Sequence, residues 1–143
     1  MKPFALDTVL SYRQRLEDIA KNNLAEARRA EDETQVLLAE QQESYRALVA
    51  TIERIQQQGV NILELISHEE HLVYIKNGIT ELEKELKNKR EHVVRVRNDL
   101  MKKARDRQVM EKLKERQNAD WRQFLNKKEA AMLDEIAIIH HNK

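Results

Sequence analysis

Gln56-Gln57-Gln58-Gly59-Val60-Asn61-Ile62-Leu63-Glu64-Leu65-Ile66-Ser67-His68-Glu69-Glu70 separates two long helix-favouring halves of the chain and decides how they pair. Gly59 is placed to end a first helix, because glycine enters the left-handed cap conformation at little cost. Ser67 and Glu70 match a capping box that opens a second helix. The Ser67 hydroxyl would accept from the Glu70 amide, and the Glu70 carboxylate would reach back to the Ser67 amide. This predicts helix A over about residues 5–58, a turn over about 59–67, and helix B over about 68–139, with room for a helical turn between Val60 and Ile66. Reversal near residue 63 sets Leu6 in the neighbourhood of Trp121 and Ile52 opposite Tyr74.

On either side of the turn, apolar residues recur at steps of three and four, the signature of a coiled-coil seam. Before it run Leu6, Val9, Leu16, Ala20, Ala27 and Ala30, with Arg13 and Asn23 in the polar gaps. An additional four-residue step near Thr34, before Leu38, Gln41, Tyr45, Leu48, Ile52 and Ile55, predicts a stutter. After the turn come Leu72, Ile75, Ile79, Leu82, Leu86, Lys89, Val93, Val96 and Leu100, then a weaker run through Lys103, Arg107, Met110, Lys114 and Gln117 to Trp121. The expected fold is all-α: one domain over residues 1–143, a long antiparallel two-helix coiled-coil hairpin with an overhanging C-terminal helix. The overhang leaves Phe124, Leu125, Met132, Leu133, Ile136 and Ile139 with no helix opposite.

Composition agrees. In 143 residues, 36% are charged and 4% aromatic, so the core must be a narrow seam. Two Gly and one Pro leave little punctuation for strands and loops. There is no cysteine, which excludes disulfides and thiolate chemistry. No apolar run is long enough for a membrane span, and the opening Met1-Lys2-Pro3-Phe4 lacks a signal core, so a cytosolic protein is expected.

The formal net charge is +1, but it is unevenly spread. Between Lys84 and Arg116 stand thirteen Lys or Arg against six Asp or Glu, whereas residues 1–58 hold eight basic against ten acidic. The plain reading is a solvated helix surface. The sharper one is a docking stripe for an acidic partner. No aromatic is interleaved there for base stacking, so no nucleic-acid partner is expected. His68-Glu69-Glu70-His71 spaces its histidines three apart instead of the four that place two zinc ligands on one helix face. Gly59 and Gly78 are isolated, so no phosphate loop is present. The chain is expected to be neither an enzyme nor a metal or cofactor binder. Among the remaining aromatics, Trp121 suits an anchor at the base of the hairpin before a partner contact, and Tyr74 lies off the seam, an expected exposed residue and a candidate for recognition.

The opening Phe4-x-Leu6-x-x-Val9-Leu10-x-Tyr12-Arg13 with Glu17 and Leu24-Ala25-x-Ala27, the middle Leu72-x-Tyr74-Ile75, and the late Glu111-Lys112-Leu113-Lys114-Glu115-Arg116-Gln117 resemble the flagellar export protein FliJ family. The resemblance extends over most of the chain. It implies a mainly monomeric, soluble stalk of the flagellar type III export apparatus, cytoplasmic and held at the inner membrane through that apparatus. It further implies that the terminal end of the hairpin, here Phe4, Leu6, Trp121, Leu125, Met132, Leu133 and Ile136, enters the hexameric export ATPase. A patch towards the turn, here Thr34, Leu38, Gln41, Tyr45, Tyr74 and Glu81, would meet the cytosolic part of the export-gate membrane protein, and traffic of substrate chaperones is a further implied duty. A stalk of a virulence injectisome and a coiled-coil spacer outside export are the alternatives.

Overall fold

The computed structural model describes residues 5–59 and 61–142. Two helices account for nearly all of them: α1, Asp7–Gln58, and α2, Ile62–His141. There is no strand among the described residues. The fold is an all-α antiparallel coiled-coil hairpin.

The reversal is tighter than its sequence suggests. Gly59 has φ +84°, the left-handed conformation expected just after a helix end. The side-chain oxygen of Asn61 accepts from the Leu63 amide at 3.0 Å, and its carbonyl accepts from the Leu65 amide at 3.1 Å, which makes Asn61 the N-cap of α2. Ser67 and Glu70 therefore lie inside α2 and cap nothing, and the second helix begins at Ile62 instead of near residue 68. With a left-handed glycine and a capping asparagine two positions apart, three residues suffice to reverse the chain. The consequence is exposure: Ile62 is 68% and Leu63 71% accessible.

Tertiary contacts divide the chain into two compact units, Met1–Ala20 with Asp99–Lys143, and Lys21–Asn98. In the unit that holds the turn, α1 buries Leu24, Ala27, Thr34 and Leu38, and α2 buries Ile75, Leu86 and Val93. With Glu31, half-buried and ion-paired to Arg90 at 3.4 Å, the α1 positions 24, 27, 31, 34 and 38 step by three and four without interruption. The expected stutter is absent. The expected seam runs through Asn23 and Ala30, one position early, whereas the actual one uses Leu24, Glu31 and Thr34, whose hydroxyl donates to the Ala30 carbonyl at 3.0 Å.

In the other unit, Leu10 packs on Met110, with Glu17 and Ala20 also buried. The seam passes through Leu10 and Glu17 where Val9 and Leu16 were expected; Val9 is exposed and Leu16 half-buried. Glu17 takes the place of Leu16 because Arg107 of α2 donates to its carboxylate, and Leu10 takes the place of Val9 because it meets Met110. Along α2 the expected seam from Leu72 to Trp121 matches the residues that are buried or half-buried. Contacting pairs are centred near position 60 instead of 63: Asp7 with Lys114 at 3.3 Å, Glu31 with Arg90. Leu6 accordingly belongs beside residues near 115, well short of Trp121, and Ile52 falls short of Tyr74. The shift follows from the shorter turn. No described side chain is wholly buried, as expected of two helices sharing one seam.

Candidate protein-binding surfaces

The most ordered polar feature lies in the unit holding the chain ends. Arg107 donates through Nε to Glu17 at 2.6 Å and through Nη1 to Glu111 at 2.7 Å. One turn towards the termini of α1, Arg13 donates to the Asp106 carbonyl at 2.9 Å. The hydrogen bond that Arg107 donates to Glu17, then the one it donates to Glu111, raise its pKa above the ordinary value, so the guanidinium stays charged wherever the fold survives. These groups are joined to each other across the seam and are therefore structural. The heptad period places Arg13 and Arg107 on the seam, but it puts Leu16 where Glu17 enters, so the pairing is not legible from one helix alone.

The turn-side patch implied by the family resemblance is only partly a surface. Leu38 and Thr34 are buried in the seam, 8% and 4% accessible, and cannot meet a partner while the helices stay paired. Gln41 and Tyr45 are half-buried. Tyr74 is 76% exposed, as its off-seam position predicts, and it shares a shallow groove with Gln41, Ser44, Leu48, Thr51 and His71. Glu81 is exposed and pairs with Lys84 at 3.7 Å. Leu37 and Val36, absent from the predicted patch, face outward beside Arg29, Asp32 and Glu33. The adjacent leucines at 37 and 38 carry the signal for this: one of the two must leave the seam, and the uninterrupted step from Thr34 selects Leu38 to stay.

At the chain ends, Phe4 lies outside the described residues. Leu6 is exposed. Trp121 is half-buried and stacks on Phe124 of its own helix, ring centroids 5.4 Å apart and planes inclined by 23°. Every described residue from Arg122 onward is exposed. Within that stretch Leu125, Met132, Ile136 and Ile139 recur at steps of seven, four and three, which holds them on one face of α2, with Leu133 at its margin. Among the described residues nothing covers this apolar stripe, which suits it to association. Among the described residues, no helix is long and apolar enough to cross a membrane.

A hairpin of two helices whose second arm carries an exposed apolar stripe defines a class of helical coiled-coil proteins. The chain belongs to the FliJ family: the family model described as flagellar FliJ protein matches residues 1–143. Its fold is similar to the solved structure of a proposed YscO homolog, CT670, from Chlamydia trachomatis, with 18% identity, a TM-score of 0.56, and coverage of 99% of this chain and 96% of that one. At that identity the likeness concerns the fold. No curated protein matches the sequence.

Proposed function

We propose that this protein is a stalk component of the flagellar type III export apparatus, non-catalytic itself, which links the export ATPase ring to the export gate and assists the traffic of substrate chaperones. The observation that carries this reading is the uncovered stripe of Leu125, Met132, Ile136 and Ile139 in a chain that matches the FliJ family throughout. A ring of identical subunits presents a pore lined by repeated surfaces, and a single helix with one apolar face can enter it without a matching symmetry of its own. Towards the turn, Tyr74 supplies the exposed aromatic around which a gate contact would be built, with Gln41 in the same groove and Tyr45 and Glu81 as the further residues of the patch. The family match favours the flagellar machine over an injectisome, since the likeness to the YscO homolog extends only to fold.

The test is removal of residues from Asn126 onward, followed by pull-down with the purified export ATPase and by circular dichroism. Loss of ATPase binding with the paired helices intact is expected, because the truncated residues lie outside the seam. Undiminished binding by the truncated chain would refute the role assigned to this end.

A further inference from the structure

The outward face of α2 between Met101 and Arg116 carries a second pattern that the stalk reading does not use. Residues 101, 105, 109, 112 and 116 step by four, four, three and four, and all are exposed. They are Met101, Arg105, Val109, Lys112 and Arg116, with Lys102 beside the first. Met101 and Val109 are 48% and 53% accessible. The cations Lys102, Arg105, Lys112 and Arg116 have no ion pair among the described residues, although other basic residues of the same stretch do.

Most carboxylates of this stretch are engaged elsewhere. Asp99 pairs with Lys103 and Glu111 with Arg107, and Asp106 is half-buried. Glu115, exposed and three positions after Lys112, stands at the margin of the face against the cations Lys102, Arg105, Lys112 and Arg116. The face thus keeps an excess of positive charge, and its two apolar side chains lie about 12 Å apart along the helix.

We propose that this face docks an acidic amphipathic helix of another protein. Charge complementarity selects the acidic partner, and the spacing of Met101 and Val109 selects a helix: two apolar side chains separated by about two turns fit a partner helix lying alongside. A nucleic acid would use the cations but leave Met101 and Val109 idle, and no aromatic stands in the stretch to stack on a base. A lipid surface would need a broad apolar face, where this one has two narrow apolar positions among four cations.

The probe is a synthetic acidic peptide of about 18 residues with two leucines about two turns apart, flanked by glutamates at helical spacing. A scrambled peptide of the same composition, a single-stranded oligonucleotide and phosphatidylserine vesicles serve as competitors, all against the full-length chain. The patterned peptide is expected to bind at least about tenfold more tightly than the scrambled one, and to weaken several-fold as salt rises from about 50 to about 300 mM. The double variant Arg105→Glu, Lys112→Glu should weaken binding by at least about tenfold, and Val109→Ser by about threefold, with melting temperatures unchanged. If charge reversal disturbs the helix, Arg105→Gln with Lys112→Gln should still lose about threefold. Equal binding of the scrambled peptide, indifference to the neutral variants, or displacement of the peptide by lower concentrations of oligonucleotide or vesicles would overturn the proposal.

Discussion

The Glu17 carboxylate accepts from Arg107 Nε at 2.6 Å, at a position of the seam where a coiled coil ordinarily places an apolar side chain. Glu17 is 6% accessible, so its charge is compensated by a residue ninety positions away. Removal of Arg107 should therefore destabilise the hairpin more than removal of an exposed cation such as Lys112, because it takes a partner across the seam from a buried carboxylate. Replacing both partners, Glu17→Leu with Arg107→Leu, should recover much of the loss. Denaturant titration of the four proteins checks this. As to pH, the Arg107 pKa is raised, so its contribution is complete below the ordinary arginine value and would be lost only above it. Alkaline unfolding in the range of lysine titration therefore owes nothing to Arg107.

The seam itself should show its depth in truncation. Leu86 is buried and Lys87 is exposed on the neighbouring position. Leu86→Ala should cost about 2 kcal/mol, at the low end for core leucines because no side chain in the seam is wholly buried. Lys87→Ala should stay within about 0.5 kcal/mol. Chemical denaturation measures both.

At the turn, three substitutions separate the observed caps from the expected one. Gly59→Ala forces a side chain into φ +84° and should cost about 1 kcal/mol. Asn61→Ala removes the acceptor of the Leu63 amide and should also cost about 1 kcal/mol. Ser67→Ala, inside α2 and exposed, should leave the thermal midpoint unchanged or slightly raised.

The adjacent leucines offer a sharper contrast of the same kind. Leu38→Asp places a carboxylate in the seam and should unfold the unit around the turn, whereas Leu37→Asp, at a position 51% accessible, should leave helicity and melting nearly unaltered. Circular dichroism melts distinguish them.

Tyr74→Ala tests the proposed gate contact apart from folding. The side chain is 76% exposed, so its loss should barely alter stability while weakening binding to the cytosolic part of the gate by about 1 to 2 kcal/mol. Titration calorimetry with the purified gate fragment, beside a melt of the variant, reads the two effects separately.

The sequence by itself determined the helical class, the end of α1 at Gly59, the seam of α2 from Leu72 to Trp121 and the exposure of Tyr74. Each is a local matter: helix propensity, one left-handed glycine, and a heptad period that persists because consecutive turns of one helix supply it. Tertiary structure decided the rest. The seam position of Leu38 was legible, but where Leu16 and Glu17 competed for one place, hydrophobicity within one helix favoured the wrong neighbour. Glu17 enters the seam because α2 brings Arg107 to meet it, and the period reaches Leu38 without a stutter because Glu31 and Thr34 carry it. The choice between Asn61 and Ser67 as cap likewise set which residues of the arms meet. A buried charge or a register is fixed by its partner, and the partner lies on the other helix.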